Sequence, residues 1–117
     1  SGKTTTKDFQ LTKSGEENED ELTDLFANYP NPFNPDTWIP YSLSKDADVT
    51  IRIYNSAGQL VRTLNLGRQA AGIYIDKDKA AYWDGKDDLG QQVASSVYYY
   101  TIRAGNFSAT RKMVIMK

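Results

Sequence analysis

The chain has 117 residues, enough for one domain with its own core but not for two. It contains no cysteine and no histidine, which excludes disulfide staples, Ser-His-Asp and Cys-His catalysis, histidine-ligated zinc and the usual physiological pH switch. Net charge is −1, with seven acids against three lysines in residues 1–27 and eleven bases against eight acids in residues 28–117, a body too mildly basic to argue for nucleic acid.

Residues 1–20 are polar and charged and cannot bury enough surface to offset ordering, so 1–27 reads as a flexible acidic linker. Phe9 and Leu11 alternate with polar residues and could be a strand remnant of a preceding domain. The Ser1-Gly2 start carries no signal peptide and reads as a segment cut from a longer protein. No apolar run is long enough to span a bilayer. Glu21–Ala27 is either a short helical turn, with Leu22, Leu25 and Phe26 on one side, or the frayed end of the linker.

Asn28-Tyr29-Pro30-Asn31-Pro32-Phe33-Asn34-Pro35 then holds three of the four prolines. Tyr29, Asn31 and Asn34 each precede a proline, which excludes helix and central strand. The expectation is a stiff lead-in pinned to the core by Tyr29 and Phe33. From Thr37 the pattern turns to strands. Ile39, Tyr41 and Leu43 alternate in a run that Pro40 demotes to an edge. Val49, Ile51 and Ile53 alternate with Thr50, Arg52 and Tyr54 in a half-buried strand. Asn55–Gly58 is a turn. Gln59–Leu66 is a strand of less clean alternation, 67–72 a loop, Ile73–Ile75 and Ala80–Trp83 short strands, and Lys86–Gln92 a polar loop. Val97–Ala104 puts Tyr98, Tyr100 and Ile102 on one face and Val97 and Tyr99 on the other. Gly105-Asn106 turns the chain into a last strand, Phe107–Met116. Six or seven short strands with regular turn signals predict an all-β fold, an Ig-like or fibronectin-III-like antiparallel β-sandwich over residues 28–117.

The order of these elements resembles a known family. Tyr29-Pro30-Asn31-Pro32-Phe33-Asn34-Pro35 is followed by Val49–Asn55, Gly58, Leu60–Leu64, Ala71-Gly72, Trp83-Asp84-Gly85, Gly90, Val93–Ser95, Val97–Tyr100 and Lys112-Met113. This is similar to the C-terminal sorting domain of type IX secretion cargo and to the related Ig-like domain of the flagellar hook-capping protein. Thr37-Trp38-Ile39-Pro40-Tyr41 with Arg68–Gly72 resembles the variant in secreted proteins of poribacterial type. The chain departs from the family at Ser96, where glycine is usual; a Cβ there costs about 1 kcal/mol if the site demands a glycine-like backbone. The resemblance implies a non-enzymatic module, expected as a monomer, that folds in the periplasm in transit. Outer-membrane secretion machinery would recognise it and surface-attachment enzymes would remove it, leaving the cargo on the cell surface or outside the cell.

Several residues stand out as candidate sites. Asn31, Pro32, Phe33, Asn34 and Pro35 read either as a recognition surface for a translocon or as a folded lead-in with Phe33 plugging the sandwich. Lys112 and Lys117, with Arg111, could form a basic docking edge, though charge on an edge strand also simply prevents aggregation. Trp83-Asp84-Gly85 reads as structural, a core tryptophan followed by a turn. Asp76, Asp78, Asp84, Asp87 and Asp88 are a weak calcium candidate: Ala80 and Ala81 break the EF-hand pattern, and Lys77, Lys79 and Lys86 interleave. Tyr54, Tyr98, Tyr99, Tyr100 and Trp38 raise a carbohydrate-binding module of a secreted hydrolase as an alternative, with Tyr54 and Tyr99 expected to face outward. Asn106-Phe107-Ser108 fits the N-glycosylation pattern by chance. No constellation activates a nucleophile, and neither an enzyme nor a cofactor is expected. The other alternative is an Ig-like structural or protein-interaction module, hook-capping-like or a spacer.

Overall fold

The computed structural model describes residues 22–117. The linker over residues 1–20 and the strand remnant at Phe9 and Leu11 lie outside the described residues. Nine strands follow in order: β1 (Asp24–Leu25), β2 (Thr37–Ile39), β3 (Tyr41–Leu43), β4 (Ala47–Asn55), β5 (Leu60–Gln69), β6 (Gly72–Tyr74), β7 (Ala81–Trp83), β8 (Ser96–Ala104) and β9 (Phe107–Ile115). They form a four-stranded sheet, β5-β4-β8-β9, faced by a three-stranded sheet, β1-β3-β6, and a two-stranded one, β2-β7. Every strand pairing is antiparallel. The result is an Ig-like β-sandwich.

The alternation of β4 and β8 explains the four-stranded sheet. Successive side chains point to opposite faces, so one apolar set lines the interior. Val49, Ile51 and Ile53 of β4, Tyr98, Tyr100 and Ile102 of β8, and Met113 and Ile115 of β9 are all buried. Facing them across the core are Leu25, Ile39, Tyr41, Leu43, Ala81 and Trp83. The uneven alternation of β5 has a visible cause: its register against β4 shifts between Val49 and Thr50 and again between Ile53 and Tyr54. Each bulge reverses which side chains face inward. β5 also runs on to Gln69, through Gly67 at φ 74°, where a loop was expected.

Two further expectations change. The run from Thr37 to Leu43 is two strands in two sheets, not one edge strand. Pro40 has no N–H to give a ladder, and at that point the chain passes from the β2-β7 pair to the β1-β3-β6 sheet. Its carbonyl accepts the Phe26 N–H at 3.0 Å. Ahead of the prolines, Asp24 and Leu25 are strand and not helical turn, in register with Ser42 and Tyr41. Leu25 is 1% exposed, so the core draws on residues upstream of the boundary set at Asn28 from composition.

Candidate partner-docking surface

The proline segment folds onto the last strand. Tyr29 pairs with Trp38 at the mouth of β2, exchanging both backbone hydrogen bonds, at 2.9 and 2.8 Å. Further along, Phe33 forms a parallel bridge to Ile115. Its N–H donates to the Val114 carbonyl at 2.9 Å, and its carbonyl accepts the Met116 N–H at 3.1 Å. The Asn31 Oδ1 accepts the Val114 N–H at 2.9 Å. Asn31, Pro32, Asn34 and Pro35 are exposed, whereas Phe33 is 1% exposed. Its ring meets Trp83 edge-on at 5.6 Å, and Trp83 in turn meets Tyr98 at 5.9 Å. Edge-to-face contacts of this kind contribute about 0.5–1.5 kcal/mol each beyond burial.

The Trp83-Asp84-Gly85 turn holds the same segment from the other side. The Trp83 Nε1 donates to the Lys86 carbonyl at 2.9 Å. The Asp84 Oδ1 accepts from the Lys86 N–H at 3.0 Å and from the Arg62 Nη1 at 2.9 Å. Burial alone pushes the Asp84 carboxyl up, but the Lys86 amide and the Arg62 bond and charge outweigh it and hold it below the usual carboxylate range. Gly85 has φ 79°, and a Cβ there would lie 2.2 Å from the Pro35 carbonyl oxygen. Glycine is required at this close approach.

The lead-in before the prolines hangs from one hydroxyl. The Tyr100 O–H donates to the Phe26 carbonyl at 2.8 Å and accepts the Asn28 N–H at 2.9 Å. Burial raises its phenol, partly opposed by the Asn28 bond and the Arg111 charge. Asn28 is itself buried, and its Nδ2 donates to the Thr37 Oγ1 at 3.1 Å. Nothing in the local pattern around Tyr100 foretells this bond, because its partners lie more than seventy residues upstream.

The basic residues of the last strand separate. Arg111 is opposite Tyr100, and its Nε donates to the Leu25 carbonyl at 2.9 Å, tying β9 to β1. Lys112 is exposed on the solvent face, opposite Tyr99. Lys117 folds back, its N–H on the Ser95 Oγ at 3.0 Å and its Nζ on the Val93 carbonyl. Lys112 thus stands on the sheet face, while Lys117 is held at residues 93–95.

The acids separate as well. Asp84 and Asp88 both face Arg62, at 2.9 and 3.7 Å, and the Asp87 Oδ1 caps the Leu89 and Gln91 amides at 2.9 Å. The Asp76 carbonyl closes the turn to Lys79 and Ala80. Among the described residues no three acids converge on a point that could hold a metal. Of the aromatics, Tyr98 and Tyr100 are in the core, Tyr99 is 39% exposed and Tyr54 is half-buried beside it. Trp38 lies between Tyr29 and Tyr82, with the Lys77 Nζ 4.3 Å above its ring.

Among the described residues no helix is long and apolar enough to cross a membrane. No curated protein matches the chain. Among solved structures, it is similar to the dimeric latent PorU of Porphyromonas gingivalis at 19% identity and a TM-score of 0.63, over 80% of this chain and 9% of that one. It is similar to PorZ of the same organism, described as an essential bacterial surface component of the type-IX secretion system, at 19% identity and a TM-score of 0.54, over 89% of this chain and 13% of that one. A third likeness is FlgD of P. aeruginosa, at 27% identity and a TM-score of 0.48, over 62% of this chain and 54% of that one. The chain thus spans roughly a tenth of the length of PorU and of PorZ, and what it shares with them is the fold. From Asp36, just before β2, to Ser108 on β9, the stretch that builds most of both layers matches the FlgD Ig-like domain, and the chain belongs to that family.

Proposed function

We propose that this chain is a sorting module, which directs an exported protein through the type IX secretion system and to the cell surface. The observation that carries the reading is the union of two distant parts of the resemblance. Asn31 and Phe33, from its opening segment, are bonded to Val114 and Met116, next to Lys112-Met113 at its close. One exposed surface therefore joins Asn31, Pro32, Asn34 and Pro35 to the last strand, and a translocon could read it as a unit. The fold shared with PorU and PorZ supports the reading. On it, the partners are the outer-membrane machinery and surface-attachment enzymes, and the route runs through the periplasm to the surface.

Family membership favours a second reading, an Ig-like structural module that makes protein contacts without directing export. The test is to fuse the whole chain to a periplasmic reporter in a bacterium with a working type IX system. Surface labelling of the fusion, and not of the bare reporter, is the expected result. A folded fusion retained in the periplasm would favour the second reading.

A further inference from the structure

The four-stranded sheet ends in β5 on one side and β9 on the other, and the two edges are treated differently. An exposed edge is a row of unpaired backbone groups that natural proteins usually blunt. β5 carries two register shifts and the left-handed Gly67. The loop after β7 also crosses it, with the Asp88 N–H on the Val61 carbonyl and the Asp88 Oδ1 on the Thr63 N–H. β9 has no bulge: all nine residues pair in register with β8. Its outward backbone groups are those of Ser108, Thr110, Lys112 and Val114, because the Val114 groups point away from β8 to Asn31 and Phe33 and the direction repeats every second residue. The proline segment closes this edge at Val114 and Met116. Among the described residues nothing bonds the outward N–H groups of Ser108, Thr110 and Lys112.

We infer that this open half of β9 accepts a single extended strand from a partner protein, with acidic side chains alternating with small β-branched apolar ones. The inference rests on the reading of the last strand as a docking surface and gives that surface its partner chemistry. Strand addition supplies affinity through backbone hydrogen bonds, and alternate side chains supply specificity. On the solvent face a fifth strand would lie beside Ser108, Thr110 and Lys112, with Arg103 in the next row opposite Ser108. Among the described residues neither Lys112 nor Arg103 has an ion pair. Acids on that face complement them. On the inner face the added strand would lie beside the half-buried Phe107 and Ala109, which pack on the core and suit valine-sized groups, and would end beside Arg111, whose Nε is held on the Leu25 carbonyl. A second copy fits less well. Two β9 edges paired antiparallel would gather both copies' Lys112 and Arg103 on one face, where like charges repel.

The test uses the whole chain and a heptapeptide alternating Glu with Val. Amide exchange should show Ser108, Thr110 and Lys112 open in the free chain and protected with the peptide. Thr110→Pro removes the central outward donor at an edge position where proline is tolerated, so it should keep the fold and lose binding. A peptide N-methylated on its bonding side should also fail, which leaves the protein untouched should the variant not fold. A Lys/Val peptide should bind at least about tenfold more weakly. Edge amides already protected in the free chain, a dimer through this edge, no binding of the Glu/Val peptide, or binding indifferent to N-methylation would each overturn the inference. The reporter fusion separates the two readings. Export by wild type without peptide binding sinks strand addition alone. Export by a Thr110→Pro fusion that no longer binds peptide leaves the strand acceptor standing and removes it from sorting.

Discussion

In the four-stranded sheet β8 pairs along its whole length with β9 and along most of it with β4, whereas no strand of the facing layer exceeds three residues. The long strands are held by continuous backbone ladders over an alternating apolar face. Strands of two or three residues cannot be held that way. Side chains of the four-stranded sheet complete the facing layer: the Tyr100 hydroxyl on Phe26 and Asn28, Arg111 on Leu25, and Tyr98 against Trp83. A short strand thus depends on the side chains that reach it from outside its own sheet.

The sharpest way to break that contrast is Trp83→Ala. Trp83 is fully buried and touches both the proline segment and β8. The loss should be about 3–5 kcal/mol in chemical denaturation. A melting temperature within a degree or two of wild type would show that the facing layer does not depend on it. Tyr100→Phe is more selective. It keeps the ring in the core but strips the Asn28 N–H and the Phe26 carbonyl of their partner, at a cost of about 1–3 kcal/mol. Amide exchange should then quicken at Asn28 well before β4 or β8 opens. Uniform loosening of both layers would show that the two are held alike.

The smallest effect concerns pH. The Asp84 carboxyl is held below its ordinary range in the folded chain. Its contribution is therefore complete above the unfolded carboxylate value and is lost as pH falls through the folded one. The Asp84 side chain is 36% exposed, so solvent screening keeps the contribution below about 1 kcal/mol. Wild type should exceed Asp84→Asn in stability at neutral pH, and the gap should narrow below about pH 4. A gap that stays constant down to the lowest pH at which both fold would assign the effect to packing and not to charge.

The division between layers also marks what the sequence reveals. In β8 the period of two separates Tyr98, Tyr100 and Ile102 from Val97 and Tyr99 without ambiguity, and the fold class follows from several such runs. β1 has only Asp24 and Leu25, too short for any period to show. Pro40 announces that a ladder cannot continue, but not that the chain will change sheets there. At the candidate surface, the exposed lysines and prolines can be read off the chain. Arg111's bond to Leu25 and Lys117's bonds to Val93 and Ser95 cannot, because those depend on partners far away in the chain.

The bond between Asn31 and Val114 spans 83 residues. Loops of that length close late, after local hairpins such as β8-β9 have zipped. Among the described residues Phe33 finds its strand partner in β9, so its backbone cannot be paired before the last strand has emerged. A chain threaded into a compartment from its amino end would carry an unfinished domain until residues 107–116 arrived. The seating of Phe33 would then mark the completion of the last strand.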